Sequence, residues 1–213
     1  MKLAIIGATG YVGKEVLRQA IEAGHEVKIL VRNPKKLPAL DDRVEVIHGN
    51  ILDRGAVTQL LQGVDAVLNA SGGVKEPDQY DVFKRATEIL VRAMKDEGIS
   101  RLVSINGIGT IFPFDKPTLG HKFTSFMVGL LIGHMKQANH GEMAVLLQAK
   151  QLQWTAVRAP QIVDKPGTGE VMVDTKKFVL GRKIMLPDLA MFMLDQLKSD
   201  HWVGKAPLVA SRS

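Results

Sequence analysis

The sequence predicts an open, doubly wound α/β fold on a parallel sheet, and three observations predict it. Short runs rich in Val, Ile and Leu alternate with segments of helical period over roughly the first 110 residues. A glycine-rich loop, Gly7-Ala8-Thr9-Gly10-Tyr11-Val12-Gly13, joins the first run to the first helical segment. Parallel neighbours need a crossover, and the intervening helices supply one each time.

Taken in order, Lys2 to Ile6 reads as a buried strand, and Tyr11 to Ala23 as a helix with Val12, Val16, Ala20 and Ala23 on one face, closed by Gly24. Further strands are expected at Glu26–Val31, Val44–Ile47 and Ala66–Asn69. The segment 78–97 places Val82, Ala86, Ile89, Leu90 and Ala93 at helical spacing and ends at Gly98, before a fifth strand at Leu102–Ile105. The alternation then pauses over about thirty residues, 107–136, far beyond the usual ~2 to 6. Within this insertion Phe123 to Met135 is an apolar helix carrying Phe126, Met127, Leu130 and Leu131. It could cover a substrate, join the core or meet a second copy of the chain in a homodimer. A helix at His140–Gln151, strands at Thr155–Arg158 and Glu170–Val173, a helix opened by Pro187 and running to about Lys198, and an edge strand near Leu208–Ala210 complete the chain.

With 213 residues, one domain with a substrate-side insertion is expected, since a full dinucleotide fold leaves little room for a second. Cysteine is absent, so disulfides and thiol catalysis are excluded. No metal site is expected. The N-terminal apolar run is too short for a signal peptide, and the longest apolar stretch, Phe126 to Ile132, falls short of the ~20 residues that span a bilayer. The expectation is a cytoplasmic protein with no membrane partner. The net charge of +6 is scattered, with basic pairs only at Lys35-Lys36, Lys176-Lys177 and Arg182-Lys183, which argues against nucleic acid and suits a phosphorylated small molecule.

The glycine loop carries the most chemistry. Lying between strand and helix, it turns backbone N–H groups and a helix N-terminus toward whatever binds at the sheet's edge, which is a pyrophosphate site. Gly7 permits the turn, Gly10 lets a phosphate approach, and Gly13 allows helix and strand to pack closely. The end of the second strand is where an adenosine ribose sits, and the residue there is Arg32. A guanidinium pairs with a 2′-phosphate where an aspartate would repel it, and Lys35 and Lys36 stand nearby in sequence, so NADP(H) is favoured over NAD(H). Asn50 and Ile51 follow the third strand and could border adenine, while Asp53 could cap the next helix. Ser71, Gly72 and Gly73 follow the fourth strand, a bare backbone suited to the central phosphates and the nicotinamide ribose.

Gly7 to Gly13, with Arg32, Asn50, Ser71 and Gly72, make the chain resemble the atypical short-chain dehydrogenase/reductases of the NAD(P)H-binding subgroup, whose fold is of the Rossmann type. Within it the likeness is to the flavin reductase (biliverdin-IXβ reductase) branch: Ile29 to Arg32 fit that branch's second strand, and Asn139-His140 through Leu147 to Val157 its later helix and strand. The resemblance implies NADPH as hydride donor, with Thr9, Gly10, Val12, Arg32, Ile51, Ser71 and Gly72 at cofactor positions and a flavin as a candidate substrate. It also implies that His140 lies beside the substrate. Gly107 stands where that branch has a serine and Gln161 where it has a second histidine.

Typical members use a Tyr-x-x-x-Lys pair on the helix after the fifth strand. Tyr80 and Lys84 mimic the spacing but precede that strand, and read as a surface pair. The later helix offers Lys136, His140 and Glu142 and no tyrosine. Alcohol oxidation is therefore not expected. Reducing a flavin, quinone or similar small-molecule acceptor needs mainly that donor and acceptor be stacked, with His140 as the candidate catalytic residue and Gly107, His140 and Gln161 as the substrate side. Arg158, ending the sixth strand, is expected at the nicotinamide end. The alternative is a non-catalytic NADP(H)-sensing protein on the same fold.

Overall fold

In the computed structural model, which describes residues 1–33, 41–72, 79–115, 119–174 and 182–212, ten strands and five α-helices alternate in the expected way. They are β1 (Lys2–Ile6), α1 (Tyr11–Glu22), β2 (Glu26–Val31), β3 (Val44–His48), α2 (Arg54–Leu61), β4 (Ala66–Asn69), α3 (Gln79–Asp96), β5 (Arg101–Gly107), α4 (Leu119–Leu146), β6 (Gln153–Ala159), β7 (Gln161–Val163), β8 (Val171–Asp174), β9 (Lys183–Met185), α5 (Leu186–Asp195) and β10 (Leu208–Ser211). The main sheet has the order β3-β2-β1-β4-β5-β6-β10-β8. Every pairing from β3 to β10 is parallel, and β8 runs antiparallel to β10. The order reverses between β1 and β4, so the loops that leave these two strands part in opposite directions and open a crevice at the carboxyl ends.

Both faces of the sheet are covered, which is why its central strands read as unbroken apolar runs. Leu3 and Ile5 of β1 face a layer made by Val12, Val16, Leu17 and Ala20 of α1 with Leu189, Phe192 and Met193 of α5. Ala4 and Ile6 face the opposite layer, where Val57, Leu60 and Leu61 of α2, Leu90 and Met94 of α3 and Leu146 of α4 pack. Each large aliphatic residue so buried contributes about 1.5–3 kcal/mol.

Two expectations are corrected. The last strand is internal, because β8 turns back and pairs along its outer side; β10 is buried throughout, whereas β8 is half-buried. The two helices expected at 123–135 and 140–151 are one, α4, whose Gly141 lets the backbone of α3 at Tyr80 and Lys84 approach more closely than any Cβ would allow. In addition, β7, which follows β6 after one residue, and β9 form a separate two-stranded parallel sheet.

In the first half of α4, Phe123, Phe126 and Leu130 are 60%, 61% and 65% exposed, so these three do not join the core. The side chains of Leu131 and Lys136 lie outside the described residues, as do Lys35, Lys36, Gly73, Lys176 and Lys177. Among the described residues no helix is long and apolar enough to cross a membrane.

Candidate functional site

The crevice is built by the chain leaving β1 and β4. Gly7 adopts φ +81°, a conformation that disfavours any side chain, and a Cβ there would lie 2.7 Å from the Ser71 nitrogen and 2.8 Å from the Ala70 carbonyl oxygen. The glycine loop thus lies directly against the β4 loop. Gly10 N donates to Gly7 O at 2.8 Å, closing the turn, and a Cβ on Gly13 would overlap the Gly7 carbonyl. Thr9, Gly10 and Tyr11 are exposed at the rim, while Val12 and Gly13 are buried, so Val12 presents its backbone rather than its side chain.

The start of α1 is chemically open. Gly10 is its N-cap, no side chain among the described residues accepts from the first-turn N–H groups, and no acidic residue stands in that turn. Those N–H groups lack an intrahelical acceptor and carry the positive end of the helix dipole. A cradle too tight for a Cβ, beside an uncapped helix start, fits the pyrophosphate of a dinucleotide.

At the end of β2, Arg32 is exposed and makes no ion pair among the described residues, and its carbonyl oxygen lies 3.2 Å from His48 Nε2. Asn50 is exposed beyond β3, and its Oδ1 accepts from Leu52 N at 3.2 Å. Ile51 is half-buried on the α2–α3 core layer. Ser71 is half-buried and Gly72 exposed at the end of β4. The structure thus brings Gly7, Gly10, Gly13 and Ser71 into one cradle, with Arg32, Asn50 and Ile51 along the neighbouring strand ends.

On the other side of the crevice, β5 ends at Asn106 and Gly107, and residues 139–142 of α4 lie against them. The Asn139 amide occupies the space that a side chain at 107 would need, so a hydrogen-bonding group reaches this spot from the helix rather than from β5. His140 is half-buried in the same turn. Gln161 is exposed at the start of β7, two residues beyond Ala159, which pairs with Gly107.

Arg158 is overturned as a cofactor contact. It is fully buried, and its guanidinium is committed to the fold: Nη1 and Nη2 pair with the Asp115 carboxylate at 2.5 and 3.0 Å, Nε donates to Ala206 O at 2.8 Å and Nη1 to Thr110 O at 3.1 Å. A charge so deep persists only when paired, and here it ties the loop after β5 to β6.

Two residues that sequence reading did not single out stand at the crevice, Asn69 and Asn106, together with two that it named without giving them a role there, Asn139 and Glu142. Glu142 is 4% exposed, and both its oxygens accept from the two strand-end asparagines. Burial pushes its pKa up to about 7, against the opposing effect of Asn106, Ser104 and Asn69. The available signal was a polar residue at or next to the end of each of two apolar strands, β4 and β5.

Comparison with known proteins agrees with this geometry. The model of a family described as NAD(P)H-binding matches residues 7–200. YwnB of Bacillus subtilis (strain 168) is 29% identical over 205 residues, 93% of this chain and 92% of that protein. The phenylcoumaran benzylic ether reductase IRL1 of Ginkgo biloba is 32% identical over 97 residues, 41% of this chain and 32% of its own length. Among solved structures, the oxidoreductase ylbE from Lactococcus lactis superimposes with TM-score 0.80 at 19% identity, covering 100% of this chain and 92% of that one. SP1627 from Streptococcus pneumoniae TIGR4, an NADH-flavin reductase by name, does so with TM-score 0.76 at 22% identity, covering 100% of both. The two structural likenesses concern the fold.

Proposed function

Because this chain belongs to the NAD(P)H-binding family, we propose that it is an NADPH-dependent oxidoreductase that delivers hydride to a flavin, a quinone or a similar conjugated acceptor. The observation that carries the reading is the uncapped start of α1 set against Gly7 and Ser71, a cradle in which backbone N–H groups rather than side chains await an anion. Gly10, Tyr11 and Val12 would hold the pyrophosphate through their backbone, and Arg32 would pair with the 2′-phosphate. Ser71 and Gly72 would meet the nicotinamide ribose.

When bound, the dinucleotide supplies the hydride. What this chain adds is alignment: Gly107, Asn139 and His140 border the acceptor side, and no tyrosine on α4 stands ready to protonate an alkoxide. A conjugated acceptor takes the hydride on one atom and draws its proton from solvent or from His140. The acceptor class is that in the name of the Streptococcus pneumoniae neighbour. The cofactor preference differs from that name because of Arg32.

One observation favours a second reading. Phe123, Phe126 and Leu130 expose an apolar stripe at helical spacing on α4, as expected of a protein that binds NADP(H) and passes the signal to a partner, such as a second copy of itself. A titration with NADPH and NADH, followed by flavin or quinone while nicotinamide absorbance is recorded, separates the two. The reductase gives tight NADPH binding and acceptor-dependent oxidation; the sensor gives binding without turnover.

A further inference from the structure

β4 ends at the crevice on a buried asparagine, Asn69, and β5 carries another, Asn106, one residue before its end. One carboxylate receives both amides. Asn69 Nδ2 donates to Oε1 of Glu142 and Asn106 Nδ2 to Oε2, each at 3.1 Å. An asparagine offers hydrogens on one side and an oxygen on the other, so a partner that takes the hydrogens decides where the oxygen points. Here the oxygens point to the loops: Asn69 Oδ1 accepts from Ser71 N at 3.1 Å and Ser71 Oγ at 2.6 Å, and Asn106 Oδ1 accepts from Gly107 N at 3.0 Å.

We propose that Glu142 is a positioning residue for the nicotinamide end of the crevice: as a carboxylate it locks Asn69 and Asn106 so that they hold Ser71 and Gly107, and a proton on it releases one of the two. The proposal rests on the reading above in one respect, that Ser71 meets the nicotinamide ribose and Gly107 borders the acceptor side. Only a carboxylate accepts strongly at both oxygens; the oxygen that takes a proton becomes a donor and a poor acceptor, so the amide facing it loses its partner. If that amide turns to offer its oxygen, it drops Ser71 or Gly107.

Burial brings this exchange to about pH 7, within the range where cells operate. The groups facing the carboxylate from the sheet are Asn69, Ser104 and Asn106, none of which titrates. His140 lies two residues before it on α4, and α3, which packs on Gly141 at Tyr80 and Lys84, carries Asp81 in the same turn. His140 is thus the group whose own titration the experiment must separate, and a Glu142→Gln variant, which leaves His140 in place, does so.

Two measurements test this on the full chain. In the cofactor-free protein, the side-chain amide signals of Asn69 and Asn106 are followed by NMR between about pH 5.5 and 8.5; both are expected to move with one midpoint near 7, and to be still in Glu142→Gln. NADPH affinity is then measured over the same range in both proteins. Glutamine accepts at one atom only and so stands in for the protonated acid: the two proteins are expected to bind alike on the acid side and the wild type about tenfold more tightly on the alkaline side, the ratio cancelling the titration of the 2′-phosphate itself. Amide signals that ignore pH, or an affinity ratio that is flat across it, overturn the proposal. Should the variant not fold, the amide titration of the wild type decides alone. If the amides respond together and NADPH does not bind, the network stands and the nucleotide reading falls.

Discussion

Helices α1 and α2 both start at the carboxyl rim of the sheet, yet α2 is closed by its own chain and α1 is not. Asp53 caps α2, its Oδ1 accepting from Gly55 N at 2.9 Å and Ala56 N at 3.3 Å, whereas Gly10 has no side chain to offer α1. The strand ends show the same contrast in arginines. Arg158 has its donors committed inside the fold, and Arg32 stands exposed with no ion pair among the described residues. Groups left open at a rim where their neighbours are closed mark where a ligand completes the structure.

If that contrast is right, damage to a closed group should cost stability and spare binding, and damage to an open one should do the reverse. The largest effect is expected from Asp115→Ala, which strands the Arg158 charge at 0% exposure: about 3–5 kcal/mol of stability by chemical denaturation. NADPH affinity of the fraction that stays folded should be unchanged, and a loss there would return Arg158 to the cofactor.

Glu142 sharpens the picture through pH. Its pKa is raised by burial, from 4.5 to about 7, so the native state holds a proton that the unfolded chain releases. Stability attributable to this group is therefore full below about pH 4.5 and falls as pH rises to about 7, by roughly 3 kcal/mol. Denaturation of wild type and Glu142→Gln at several pH values should show the difference between them changing across that window and constant above it.

At the open helix, Gly13→Ala puts a methyl into the Gly7 carbonyl, with Gly7 C at 2.6 Å and Ala8 Cα at 2.9 Å, all backbone that cannot rotate away. About 1–3 kcal/mol of stability should be lost, with NADPH affinity down about a hundredfold because the cradle itself is displaced. Arg32→Ala should weaken NADPH about tenfold or more while leaving NADH and stability unaffected. Equal loss for both nucleotides would remove the 2′-phosphate from its role.

Much of this contrast could be read before any coordinates. The bounds of β1, β2 and β4 follow from the apolar runs, and Gly7, Gly10 and Gly13 declare the cradle by their spacing. What stayed hidden depends on distance along the chain. Nothing local tells that Glu142 meets Asn69 and Asn106, 73 and 36 residues away, or that Asp115 reaches Arg158 across 43. The three-residue strands β7 and β9 are too short to show a period, and β10 reads as an edge until β8 is seen to turn back on it. Arg158 was misread for a related reason: an arginine at a strand's carboxyl end looks the same in sequence whether it faces a ligand or a buried aspartate.

The smallest expected effect is the most specific to the comparison. Asp53→Ala removes the side chain that caps α2 and leaves Gly55 N and Ala56 N to water, which is available because Asp53 and Gly55 are exposed. Caps of this kind contribute about 1 kcal/mol. The loss should appear in denaturation, with NADPH affinity unchanged, since α2 is held to the core by Val57, Leu60 and Leu61 regardless of its first turn. Adding saturating NADPH should then raise the stability of Asp53→Ala and of the wild type by the same increment, because the nucleotide closes α1 and not α2. A smaller increment in the variant would mean that the two helix starts share one ligand, with the adenine side of the crevice extending as far as α2.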